Sequence, residues 1–152
     1  MTGPAVFAAV FAALYAAHSF GDHWIQTHGQ ACAKGAPTRS GRLACLRHVG
    51  TLTLTKAVAL GAVAVVTGLA VAPLSLLLGL AVDAASHYWA DRRAPLAKLA
   101  ALIGKSGFYQ MGAPRPGTDD APHLGTGAYA LDQSWHHVWL FVAALIITGG
   151  QG

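Results

Sequence analysis

The chain has 152 residues, of which 54% are hydrophobic and 11% charged, where an ordinary soluble domain carries roughly 25% charged residues. That deficit excludes a typical soluble globular domain, and the apolar residues gather in the nearly charge-free runs Pro4–Ser19, Leu52–Val82 and Val138–Ile147. The net charge of +4 comes mainly from basic residues between these runs. No nucleic-acid recognition motif accompanies them, so a membrane-surface role is expected and a nucleic-acid partner is not.

The first helix is expected over about Pro4–Gln26, with Pro4 tolerated in the first turn and Trp24 at the membrane interface. No basic region precedes its apolar run, so it reads as a retained span rather than a cleaved signal peptide. The segment His28–Arg42, with Gly29, Gly35, Pro37 and Gly41, reads as a connection. A second helix follows over roughly Leu43–Leu69. Gly68 and Pro73 punctuate a tight, uncharged turn before a third helix at Pro73–Asp91. In Pro95–Met111, Lys98 and Lys105 interrupt Leu96, Leu99, Leu102, Ile103 and Phe108, the pattern of a helix lying along a membrane surface. Gly112–Gly127 reads as loop, with Asp119, Asp120 and His123 as solvated groups. A fourth helix runs from Leu131 to Ile147 or Thr148. A span needs about 20 mostly apolar residues. The expected fold is all-α: one integral membrane domain over residues 1–152, built as a four-transmembrane-helix bundle with an interfacial helix between spans three and four.

Three histidine–acid pairs stand one helical turn apart: His18/Asp22, His87/Asp91 and Asp132/His136. Residues at i and i+4 share a helix face, so each pair acts as one polar unit, and Gln26 and His48 extend the set. Connectivity places them together. If the first helix descends, its end, the start of the second, the end of the third and the start of the fourth all lie at one membrane face. Lys34, Arg39, Arg42, Arg47, Arg92, Arg93, Lys98, Lys105 and Arg115 fall on that side, while the turn over Gly68–Pro73 carries no charge. The positive-inside tendency then turns the polar cluster toward the cytoplasm and both termini outward, in the inner membrane.

Imidazoles and carboxylates bind zinc, manganese or iron, and a bound ion activates water. His18, Asp22, His48, His87, Asp91, Asp132 and His136 are the candidate ligands, enough for one ion or two. Asp22, Asp91 and Asp132 are also the candidate catalytic acids, one of them left free as general base. Gln26 and Gln133 are placed to orient substrate or a ligand. Asp83, one turn before His87, is expected to orient that ring from behind or to be protonated. Lys56 either pairs with an acid or snorkels. His23 and His137 point away from the paired faces, and Cys32 and Cys45 read as free thiols. No Walker A loop, dinucleotide fingerprint or HExxH motif is present.

The stretches "AHSFGDHWIQ", "LRHVGTL", "SHYWADRR" and "LDQSWHH" resemble the DUF3307 family of small bacterial and phage membrane proteins, over most of residues 11–145. His23 stands where the family continues with a Phe-like residue. The resemblance carries over His18, Asp22, Gln26, His48, His87, Asp91, Asp132, Gln133 and His136, and implies a multi-pass membrane protein without implying an activity. The chain is also broadly similar to membrane-bound metal-dependent hydrolases with histidine and aspartate near helix ends. The expected function is a membrane-embedded, metal-dependent hydrolase acting on a lipid or an amphipathic ester or phosphoester. The alternatives are a proton or metal-ion transporter or channel, a non-enzymatic phage membrane protein, and a purely structural hydrogen-bond network.

Overall fold

The computed structural model describes residues 3–115, 117 and 125–149, so Asp119, Asp120 and His123 lie outside the described residues. Every regular element within them is helical. In chain order the helices are α1 (Gly3–Phe20), α2 (His28–Ala33), α3 (Arg39–Thr67), α4 (Pro73–Asp91), α5 (Ala94–Leu102), α6 (Ser106–Tyr109) and α7 (Gly127–Gly149).

Local chemistry sets the starts. The segment expected as a plain connection contains α2, because Thr27 and Gln30 form a reciprocal capping box. The Gln30 N–H donates to Thr27 Oγ1 at 3.2 Å, and the Thr27 N–H donates to Gln30 Oε1 at 2.9 Å. Thr38 Oγ1 accepts from the Gly41 N–H at 3.1 Å, so α3 begins at Arg39 rather than Leu43. Thr126 Oγ1 accepts from the Tyr129 N–H at 3.2 Å, and α7 accordingly begins at Gly127 rather than Leu131. The single surface helix expected over 95–111 is two pieces, α5 and α6, separated by a turn with Gly104 at φ 73°.

The four long helices pack in a ring, α1 on α3, α3 on α4, α4 on α7 and α7 on α1, with α4 and α7 the most extensive pair. At one end their interior is wholly apolar: Val6, Val10, Leu14, Leu60, Leu80, Leu140, Ala144 and Ile147 are buried together. Outside, the same helices expose large apolar side chains, among them Leu54, Val58 and Val65 of α3, Leu74 and Leu77 of α4, and Phe141 and Leu145 of α7. The interior thus combines this apolar end with buried polar groups, among them His18, His48, Lys56, Asp83, His87, Asp91 and His136.

Two stretches among the described residues are long and apolar enough to cross a membrane, Gly3–Ile25 and Arg39–Thr67.

Gly79 sets the approach of α4 to α7. A β-carbon there would stand 2.5 Å from Ile147 Cγ1 and 2.9 Å from the Ala143 carbonyl oxygen. Gly79→Ala is therefore expected to cost about 1–3 kcal/mol by overpacking, read as a lowered thermal midpoint in detergent. An unchanged midpoint would contradict close packing at this contact.

Candidate metal centre

The end of the bundle opposite the apolar core gathers the histidines and acids. His18 lies in the last turn of α1, and the chain continues as a π-helical turn, Gly21–Ile25, closed by the Gln26 N–H donating to the Gly21 carbonyl at 2.9 Å. Such turns widen the helix and re-aim side chains, often at functional sites. Here the turn carries Asp22. Gly21 is buried against Leu52, whose Cδ1 occupies the space a β-carbon would need, so α1 lies close enough to α3 for Asp22 to meet His48. His87 and Asp91 come from the last turns of α4, and Asp132 and His136 from the first turns of α7.

The donors converge tightly. His48 Nε2 lies 3.1 Å from His87 Nε2 and 3.4 Å from Asp91 Oδ2, and His87 Nε2 lies 3.2 Å from Asp91 Oδ2. Asp22 Oδ1 joins them at 2.9 Å from His48 Nε2 and 3.6 Å from His87 Nε2. Two donors each about 2.1 Å from one ion stand roughly 3.0 Å apart at right angles and about 3.4 Å apart at the tetrahedral angle. The observed spacings match that range.

Three sets bring their donor atoms within 4.8 Å of one another, His48–His87–Asp91, Asp22–His87–His136 and Asp91–Asp132–His136, and the third shares Asp91 with the first. His136 Nε2 is 3.4 Å from Asp132 Oδ2 and 3.9 Å from Asp91 Oδ1. The rings of His87 and His136 stack with centroids 4.0 Å apart.

Hydrogen-bond accounting points the same way. Asp22 Oδ1, Asp91 Oδ2 and His136 Nε2 are buried without a hydrogen-bond partner, as are the Nδ1 atoms of His18, His48 and His87. Buried polar atoms are ordinarily satisfied, and here Asp22 Oδ1 and Asp91 Oδ2 face only the Nε2 atoms of His48 and His87, at 2.9–3.6 Å. These histidine and aspartate groups can hold a metal ion.

The remaining expected residues divide. His18 lies behind the centre: its Nε2 is 3.6 Å from Asp22 Oδ2, its ring is 5.1 Å from that of His136, and it belongs to none of the three metal-capable groups. Gln26 and Gln133 line the adjoining cleft, and Gln133 Nε2 donates to Asp132 Oδ2 at 3.4 Å. Asp132 sits at the rim, 26% exposed, whereas Asp91 is 2% exposed.

The expected contact of Asp83 with His87 is not formed. Asp83 instead takes Lys56 Nζ at 2.5 Å inside the bundle, and His87 Nδ1 has no partner. A buried carboxylate gains more from a neighbouring ammonium than from a neutral ring. His137 packs on Tyr15 with ring centroids 4.8 Å apart, away from the donors. His23 does reach the cleft, where its Nε2 lies 3.2 Å from the Tyr129 hydroxyl. Both cysteines are free thiols.

Three functional candidates were hidden within the loop and surface charge. Lys34, at the end of α2, places Nζ 2.8 Å from Asp91 Oδ1. Arg92 fixes it there by donating to the carbonyls of Lys34 and Ala36. Arg93 donates to the Ala31 carbonyl at 3.0 Å. The Thr27-x-x-Gln30 box signalled α2 in the sequence, but no local pattern signals the partners of its last residue.

The cleft beside the donors encloses about 760 Å³, and Lys34, Arg93, Leu96, Tyr109 and Tyr129 are among its walls. Burial and the Asp132 carboxylate raise the Tyr109 phenol above its ordinary range, so it stands as a proton-bearing donor at neutral pH. No family model, curated protein or solved structure matches the chain, so its own residues carry the functional reading.

Proposed function

We propose that the chain is a membrane-embedded, metal-dependent hydrolase of a lipid or another amphipathic ester or phosphoester. The observation that carries this reading is the convergence of His48 and His87, whose Nε2 atoms are 3.1 Å apart, with the buried carboxylates of Asp91 and Asp22, whose oxygens lie 2.9–3.6 Å from those two nitrogens. Two imidazoles and two carboxylates suit zinc, manganese or iron. A divalent ion bound there supplies Lewis acidity and a water of lowered pKa. Asp22 and Asp91 serve as ligands. Asp132, at the rim and beside the cleft, is the general base, with His136 Nε2 3.4 Å away to share the proton. Gln26, Gln133 and the Tyr109 hydroxyl position the substrate.

In this reading α1, α3, α4 and α7 all cross the bilayer, with their exposed leucines, valines and phenylalanines toward lipid. The basic connections put the cleft at the cytoplasmic face of the inner membrane and both chain ends on the far side. Exposed Leu102, Ile103, Phe108 and Met111 favour an interfacial position for α5 and α6, beside the cleft wall. Membership of the DUF3307 family is part of the same proposal and adds no activity to it. A transporter or channel needs a polar path through the bundle. The apolar layer of Val10, Leu14, Leu140 and Ile147 beyond the Lys56–Asp83 pair favours the hydrolase.

Elemental analysis of detergent-purified protein should find a stoichiometric divalent ion. Chelation should abolish turnover of an amphipathic fluorogenic ester or phosphoester, and zinc or manganese should restore it. Metal-free protein with chelator-insensitive turnover would sink the proposal.

A further inference from the structure

We infer that the cleft recognises a phosphoryl anion, so that the substrate is a phosphate ester rather than a carboxylic ester. This rests on reading the histidine–aspartate cluster as a metal site.

The first argument is residual charge. Among the described residues lining the cleft, the acids are Asp22, Asp91 and Asp132, and each belongs to a metal-capable group. With Asp22 and Asp91 committed to an ion and Asp132 kept as the general base at the rim, the other charged lining side chains are Lys34 and Arg93, both cationic. The neutral lining adds the buried Gln26 Nε2, a donor without a partner, and the Tyr109 phenol. Such a wall offers donors and positive charge, which match an anion rich in acceptor oxygens.

The second argument is backbone conformation. Arg93 has φ 60° and ψ −51°, and it is the one non-glycine residue with positive φ among those described. A side chain in this region costs about 1–3 kcal/mol and persists where its surroundings enforce it, commonly at ligand sites. The surroundings here are specific. The Arg93 stem runs over Gly35, where a β-carbon would stand 2.7 Å from Arg93 Cδ and 3.0 Å from Nε. Arg92, the neighbouring residue, holds the carbonyl of Lys34 itself. The end of α4 thus carries one arginine that positions Lys34 and a second that reaches the cleft wall.

The third argument is placement. Lys34 Nζ, 2.8 Å from Asp91 Oδ1, stands next to the donor cluster. An ion held through Asp91 Oδ2 leaves Lys34 on Oδ1 of the same carboxylate, which puts the ammonium beside a phosphate oxygen bound at that ion.

The test is isothermal titration of inorganic phosphate into the metal-loaded full chain, with metal content measured for every variant. Phosphate should bind the wild type saturably. Lys34→Gln and Arg93→Gln should each weaken it on the order of 10- to 100-fold, the usual worth of a charge-assisted contact. Lys34→Arg and Arg93→Lys should recover part of the loss. Wild-type affinity in both glutamine variants at full metal content would overturn the assignment.

Hydrolysis of p-nitrophenyl butyrate with no phosphate binding would also overturn it, while leaving the metal-hydrolase reading intact. Absence of retained metal ends both. Competition by phosphatidic acid in mixed micelles but not by glycerol phosphate would assign the anion to a lipid headgroup. The reverse would assign it to a soluble phosphate ester, and competition by neither would count against the proposal.

Discussion

Asp91→Ala should strip the protein of bound metal and lower turnover on the order of 10³-fold or more, whereas Asp132→Ala should keep the metal and lose only the base. Asp91 is the hub: Oδ2 lies 3.2–3.4 Å from His87 and His48, and Oδ1 lies 2.8 Å from Lys34 and 3.9 Å from His136. Its removal deletes one donor common to two of the three metal-capable groups. A catalytic ion of this kind contributes several kcal/mol of transition-state stabilisation where it acts, and about 1.4 kcal/mol is tenfold in rate. Asp132, partly exposed at the rim, lies outside the His48–His87–Asp91 group. A lost general base costs about 10²–10⁴-fold with the ion in place.

Elemental analysis separates the two outcomes. Thermal unfolding adds a second readout: an ion at 1,000 times its Kd stabilises the native state by about 4 kcal/mol, a gain expected in the wild type and Asp132→Ala but not in Asp91→Ala. Equal metal content in the two folded variants would refute this division of roles.

The second large effect lies deeper in the bundle. Lys56 and Asp83 are both buried and meet at 2.5 Å. Lys56→Met leaves the Asp83 carboxylate without its counter-charge, a change expected to cost about 3–5 kcal/mol, because burying one unpaired charge is far worse than burying a pair. Asp83→Leu strands the ammonium in the same way. The double variant Lys56→Met/Asp83→Leu should recover most of the loss and equal or exceed the wild type in denaturant unfolding. A double variant as unstable as either single one would refute the pairing argument. Metal content should be unaffected in the double variant, since Asp83 does not touch His87; an outer-sphere partner of a ligand would instead cost about 10- to 100-fold in metal affinity.

Several features were legible in the chain before any coordinates. The helical segments follow from apolar runs and their stop signals, and α4 has the expected ends, Pro73 and Asp91. The histidine–acid pairs follow from helical geometry alone, because residues four apart share a face wherever the helix lies. Connectivity then places His18, His48, His87 and His136 at one end of the bundle, where they are found buried. The helix starts expected at Leu43 and Leu131 fall instead at Arg39 and Gly127, where threonine caps begin the helices ahead of the apolar run.

Local periodicity determined which residues travel together, and chain direction determined which end of the bundle they reach. Tertiary packing alone decided the partners: Asp83 with Lys56 rather than His87, Lys34 with Asp91, Arg92 with the Lys34 carbonyl, and Asp132 at the rim. These contacts join residues far apart in the chain. Their formation depends on how each helix is rotated about its axis and how closely it approaches its neighbours. Gly21 and Gly79 allow those approaches, but only the folded bundle reveals which atoms they admit.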